Sequence, residues 1–132
     1  MAGKSGIKKT GNSISRVVQA HNGCVVQRAQ YPGMRISGKV YENALLVEIE
    51  SQGLHCTTQA PFNIIFYRDK KVGVYVADIV VEDRILLELK AVRAIEPVHR
   101  AQVINYLRAS GLKLGIILNF ARPKLEFERI VL

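Results

Sequence analysis

From about residue 40 onward, apolar and polar positions fall into blocks of two different periods. Across Val40–Glu50 the apolar residues Tyr41, Ala44, Leu45 and Ile49 mark a helical stripe, with Glu48 on the same face, and Gly53 is placed to stop the helix. Phe62–Tyr67 reads as a strand, and Arg68-Asp69-Lys70-Lys71 as a polar turn into the next one. Val72–Val81 and Ile85–Ala91 are rich in β-branched and large apolar residues, with the short polar break Glu82-Asp83-Arg84 between them, which predicts a β-hairpin. Pro97 suits the first turn of a helix that runs to Ser110 and ends at Gly111. Leu114–Phe120 is an almost wholly apolar strand, the pattern of a covered interior position. Ala121–Lys124 is a loop, and the alternation of Leu125–Val131 is that of an edge strand. Strands followed by a crossover helix and another strand predict an α/β fold, a mixed central β-sheet flanked by helices with strands two to four as its core.

The first forty residues behave differently. Met1–Ser13 has no periodicity, Ile14–Ala20 is a candidate short helix, and His21-Asn22-Gly23 and Tyr31-Pro32-Gly33 break the chain beyond it. Two segments result: a basic N-terminal arm, 1–39, and a domain, 40–132. Residues 1–41 hold seven of the 19 Lys/Arg and no acid, which leaves twelve basic against eleven acidic groups in the rest. The net charge of +8 is therefore a property of the arm. A grip on phosphates through counterion release, a transit peptide and a solvated tail are all compatible with it. No apolar run reaches bilayer-spanning length, which predicts a soluble chain with no membrane partner. Cys24 and Cys56 make neither a disulfide framework nor a zinc site, and free thiols predict a reducing, cytoplasmic compartment.

The hairpin places charge where strands rarely tolerate it. If 82–84 is a three-residue loop, Val81 pairs with Ile85 and Asp78 falls opposite Glu88, with Lys90 on the same face as Glu88. Facing carboxylates repel unless something positive sits between them, and a hard divalent cation takes carboxylate oxygens for this purpose. A surface ion pair between Glu88 and Lys90 is the simpler alternative. The neighbours Ile79, Val80, Val81, Leu86, Leu87 and Leu89 point instead to strands buried on both faces, where acids need partners. A two-residue loop would shift the register by one and separate the acids.

On the 97–110 helix, His99, Gln102, Tyr106 and Ser110 share one arc, flanked by Val98 and Ala109 on one side and Val103 and Leu107 on the other. Polar groups thus sit in the middle of the expected apolar face. Either they are a satisfied core pair or they line a cleft. The basic turn Arg68–Lys71 is open in the same way, between simple solvation and a phosphate contact.

Asp78, then nine residues, then Glu88-Leu89-Lys90 resembles the PD-(D/E)xK nuclease superfamily, whose fold is the restriction-endonuclease-like core. The run from Ala77 to Val92, with His99, Gln102, Asn105-Tyr106-Leu107, Gly111 and Ile117-Leu118-Asn119-Phe120, is similar to its small member, the GxxExxY protein family, over Tyr41 to Val131. Tyr41 fits that family's naming motif, but Gly38 stands where its Glu belongs and Arg35 where its Gly belongs. The resemblance implies a metal-dependent nuclease that hydrolyses phosphodiester bonds, with Asp78, Glu88 and Lys90 catalytic. It further implies Mg²⁺ or Mn²⁺ held by Asp78, Glu88 and the Leu89 carbonyl, with Glu48 as a candidate additional ligand. His99, Gln102 and Tyr106 would be substrate-contacting or supporting residues; Gln102 and Tyr106 match the Q-x-x-x-Y element of RecB-like nucleases. Nucleic acid, with DNA favoured, is the implied partner, and a homodimer is a possible assembly. The alternative function is a non-catalytic nucleic-acid- or partner-binding module that keeps the fold.

Overall fold

The computed structural model describes residues 15–17, 19, 38–121 and 126–132, and the backbone alone at 60–66, 74 and 75. The expectations for Met1–Ser13, the two interruptions at 21–23 and 31–33, Arg35, Cys24 and most of the Ala121–Lys124 loop lie outside the described residues. Residues 15–17 and 19 are helical, as expected for that stretch. Val17 is fully buried, and Arg16 exchanges hydrogen bonds with Gln52, so this piece packs into the same core as Tyr41, Leu45 and Ile49.

Helix α1 spans Gly38–Ser51, and Gly53 at φ 78 ends it in the left-handed conformation that a side chain would strain. Strands β1 (Cys56–Tyr67) and β2 (Lys70–Val81) form a long hairpin, followed by β3 (Ile85–Lys90). Helix α2 (Pro97–Ser110) crosses over to β4 (Leu114–Asn119), and β5 (Glu126–Val131) closes the chain. The sheet order is β1-β2-β3-β4-β5, antiparallel except for the parallel β3–β4 pair that the α2 crossover requires. This is the expected mixed sheet, with β2, β3 and β4 inside and β5 at an edge.

Each face of the sheet carries one apolar cluster. Tyr41, Leu45 and Ile49 of α1 pack on Ile79, Val81, Ile85, Leu87, Ile116 and Leu118. Val103 and Leu107 of α2 pack on Ala77, Val80, Leu86 and Ile117 on the other side. Burial on both faces is what makes β3 and β4 read as continuous apolar runs. Gly115 lets α2 lie close against β4: a Cβ there would stand 2.7 Å from Val103 Cγ1.

Several boundaries and faces differ from expectation. The turn between β1 and β2 is Arg68-Asp69 alone, at φ 49 and 63, so Lys70 and Lys71 pair with Tyr67 and Phe66 rather than forming the turn. Two left-handed residues make the tight turn that matches strand twist. Strand β1 begins at Cys56 instead of Phe62, because Cys56, Thr57 and Thr58 pair with Val81, Val80 and Ile79 by backbone without an apolar pattern to announce them. On α1, Ala44 is exposed and Glu42 is buried, so the stripe runs through positions 41, 42, 45 and 49. On α2 the buried stripe is Val103 and Leu107, while Val98 is 65% exposed. The polar arc of Gln102 and Tyr106 therefore lies at the margin of the packed face, not in its middle.

Candidate active site at the end of the central strand

The three-residue loop of the β2–β3 hairpin sets the register. Glu82 and Asp83 are both left-handed, the Arg84 amide donates to the Val81 carbonyl at 3.0 Å, and Val81 pairs with Ile85. The ladder continues through Val80↔Leu86 to Ile79↔Leu87 and stops there. Asp78 would come next, opposite Glu88. Its Oδ2 instead accepts the Leu89 amide at 2.9 Å, so a side chain replaces the main-chain rung where the strands part. The distortion is matched on the other edge of β2: Gln59, between the paired residues Thr58 and Ala60, has φ 49.

Glu88 is 6% exposed, and one carboxylate oxygen, Oε2, is buried with no hydrogen bond. Burial, and then the nearby Asp78 charge, push its carboxyl up to about 7, against the opposing pull of Lys90. Lys90 Nζ lies 3.5 Å from Glu88 Oε1 and donates to Gln102 Oε1 at 2.7 Å; Gln102 Nε2 donates to Tyr106 Oη at 3.4 Å. One connected polar path therefore runs from the central strand to α2. The structure brings together Asp78, Glu88, Leu89, Lys90, Gln102 and Tyr106.

Two expected residues stand apart. His99 Nδ1 accepts the Glu96 amide at 2.9 Å, capping the start of α2, and among the described residues it makes no hydrogen bond to Lys90, Gln102 or Tyr106. Glu48 is partly exposed, its carbonyl takes the Ser51 hydroxyl, and it makes no hydrogen bond or ion pair with Asp78, Glu88 or Lys90 among the described residues. The acid that α1 buries is Glu42. It is 7% exposed, with Oε1 lacking a hydrogen bond and Lys39 Nζ at 3.8 Å, an ion-pair distance too long for one. Position 42 precedes Ile49 by seven residues, about 20° away on the wheel, so the signal was in the spacing. Cys56 is a free thiol, as expected, and burial, with the Glu50 and Glu82 charges behind it, pushes it up to about 11.

Asn119 is the supporting residue that sequence patterning gave no reason to single out. Wholly buried, it receives the Val92 and Ala121 amides on Oδ1, at 3.1 and 3.2 Å, and donates from Nδ2 to the Val92 carbonyl and Glu126, at 2.8 and 2.9 Å. Glu126 also accepts the Ile95 amide at 3.0 Å. The segment between Lys90 and α2 is thereby fastened to β4 and β5. The Phe120 amide holds the Lys90 carbonyl at 2.9 Å, and Arg100 of α2 donates to Glu128 of β5. With its N-terminal end tied in this way, α2 presents Gln102 to Lys90. On the other face, Tyr41 stacks on Phe120 with ring centroids 4.6 Å apart.

Among the described residues no group of three or more His, Cys, Asp or Glu side chains stands close enough to hold a metal ion. No described helix is long and apolar enough to cross a membrane. The crystal structure of SSO0001 is similar to this fold, with a TM-score of 0.54 and 19% sequence identity over 71% of this chain and 50% of that one. This chain thus spans half the length of SSO0001, and the likeness speaks to the fold. Comparison with curated proteins finds no match. A sequence-family profile described as the PD-(D/E)XK nuclease superfamily matches residues 15–130. With nearly the whole chain matched and the acids and lysine of that motif gathered where β2 and β3 part, this protein belongs to the PD-(D/E)XK nuclease superfamily.

Proposed function

We propose that the protein is a divalent-metal-dependent nuclease that cuts phosphodiester bonds, with DNA as substrate. The observation that carries this is the state of Glu88: a buried carboxylate oxygen without a hydrogen bond, beside a second carboxylate, where the interior strands β2 and β3 separate. A buried, unpaired anionic oxygen is costly, and hard oxygen donors suit Mg²⁺ or Mn²⁺. Asp78 and Glu88, with the Leu89 main-chain carbonyl, would hold the ion, water supplying the remaining oxygens. Once bound there, such an ion lowers the pKa of a coordinated water and offsets charge on the phosphate.

The protein's own groups divide the remaining work. Because the Leu89 amide engages Asp78 Oδ2, that carboxylate is held with Oδ1 left for a ligand. Lys90, oriented by Gln102 Oε1, sets a positive charge where negative charge develops on the scissile phosphate, or positions the attacking water. Tyr106 holds Gln102 in turn. The stacking of Tyr41 on Phe120 supports a GxxExxY-like arrangement of α1, with Gly38 in place of its acid.

Isothermal titration with Mg²⁺ and Mn²⁺, alongside cleavage of labelled DNA and RNA, tests the proposal. Asp78→Asn keeps an acceptor for the Leu89 amide, so it is expected to fold normally while weakening ion binding and lowering cleavage by about 10²–10³-fold or more. Metal-dependent cleavage that survives this change would exclude the assignment. A chain that binds nucleic acid with no measurable ion binding or cleavage would instead be a binding module.

A further inference from the structure

We infer that the β1–β2 ribbon is an arm that seats duplex DNA in its major groove, holding it at a fixed distance from the cleavage site; this rests on the nuclease proposal above. Strand β2 pairs with β3 only over Ile79–Val81, yet it pairs with β1 all the way to Lys70. Residues 70–77 and their partners in β1 therefore form a two-stranded ribbon with no third strand on the β2 edge. Asp78 stands at its base and the Arg68-Asp69 turn at its tip. Breaks in register between Pro61 and Asn63 and between Ile65 and Phe66 add twist to the ribbon.

The tip is basic, and Arg68, Lys70 and Lys71 are exposed, with no side-chain hydrogen bond or ion pair to another described residue. In contrast, Lys39, Lys90 and Arg100 each lie against a glutamate. Asp69 is the only acid from Tyr67 to Val72. The Arg68 guanidinium sits over the ring of Tyr67, 5.6 Å from its centroid, and that ring is itself 64% exposed. Stacking holds the guanidinium in place while leaving its N–H groups to a phosphate.

Shape and length select the ligand. A two-stranded ribbon fits the major groove of B-form DNA, about 12 Å wide, whereas the major groove of A-form RNA is too narrow and deep. From Lys71 to Asp78 is seven residues of strand, roughly 23 Å. That distance corresponds to about 7 base pairs of duplex. A rigid duplex can reach both ends of the arm at once, so the tip adds affinity only for substrates long enough to span it.

Fluorescence anisotropy without added metal tests this, using DNA hairpins with stems of about 20 and about 6 base pairs, and an RNA hairpin with the longer stem. The variant Arg68→Gln/Lys70→Gln/Lys71→Gln is expected to bind the long DNA stem about tenfold or more weakly, with the log–log salt slope reduced by about 2–3. Binding of the short stem and of RNA should not change, and Lys70→Arg/Lys71→Arg should bind as the wild type does. A triple variant with the wild-type melting temperature that binds both DNA stems normally would overturn the arm. If Asp78→Asn had meanwhile lost cleavage, the nuclease proposal would stand without it. Equal loss of affinity for DNA and RNA would overturn the groove preference, and a wild-type chain that binds no stem would overturn the arm, whereas the nuclease proposal falls only with ion binding and cleavage.

Discussion

The two halves of β3 are neighbours in sequence and opposites in environment. Ile85, Leu86 and Leu87 are completely buried and pair with β2 on one edge and β4 on the other. Glu88, Leu89 and Lys90 keep the β4 partner and lose the β2 ladder. In the first half every main-chain group is answered by a neighbouring strand, and side chains have only to be apolar and of the right volume. In the second half the strands part, an amide is freed for the Asp78 carboxylate, and room appears for charged groups that a closed ladder would exclude. Interior strands can thus carry a polar site, provided that one edge opens at the position where the polarity begins.

The largest contrast should come from paired substitutions in the two halves. Leu87→Ala is expected to cost about 2–5 kcal/mol of stability, through lost transfer energy and the cavity left behind. Lys90→Ala should change the melting midpoint little when measured at pH 6, below the raised Glu88 value of about 7, and should remove metal-dependent cleavage measured at pH 8, above it. Chemical denaturation together with a cleavage assay checks both, and a Lys90→Ala protein that still cuts would break the contrast.

The second prediction concerns pH. The Glu88 carboxyl is raised from 4.5 to about 7 in the folded chain, so over that window the folded state binds a proton that the unfolded state has released. Stability contributed by this group is complete below about 4.5 and is lost as pH rises through 7, a swing of about 3 kcal/mol. Metal-free protein should therefore become less stable between those values, and Glu88→Gln should flatten the dependence. Added Mg²⁺ should raise the melting temperature more at pH 8 than at pH 6. Thermal melts across pH with and without Mg²⁺ give the answer, and a flat wild-type profile would contradict the burial argument.

A smaller effect is expected at the contact that sets the distance of α2. Gly115→Ala would drive a Cβ into Val103, a stiff, fully buried side chain, so the helix must shift at a cost of about 1–3 kcal/mol. Because Gln102 adjoins Val103, that shift should also loosen the hydrogen bond to Lys90 and lower cleavage more than a stability loss alone would. A variant fully active at a temperature where it remains folded would show that the helix position is not what orients the lysine.

Much of this was legible in order along the chain. Apolar periodicity located α1, α2 and the five strands β1–β5 among the described residues, since each element with a buried face must repeat at its own period. The break at Glu82-Asp83-Arg84 placed the β2–β3 turn but left two registers open, and the structure has the three-residue loop, with Val81 paired to Ile85, that brings Asp78 toward Glu88. The spacing of Gln102 and Tyr106, one turn apart, placed them on one arc of the helix, and the structure joins them by a hydrogen bond. The first half of β1 was not legible, because it lies at the edge of the sheet with Thr57, Thr58 and Gln59 exposed, and such a segment buries too little to need alternation. His99 looked like a site residue for a related reason: capping and cleft lining both place a polar side chain near a helix start, and only the direction of Nδ1 separates them.

What the sequence determined by itself is therefore local: periods, turn positions, and a hairpin whose residues count outward from a known loop. Only the tertiary structure decided that the ladder stops after Ile79, that Glu42 rather than Glu48 is the buried acid of α1, and that Asn119 fastens the segment leading to α2. Each of these depends on groups far apart in the chain competing for the same space and the same hydrogen bonds. A pattern along one strand carries no record of which partner wins.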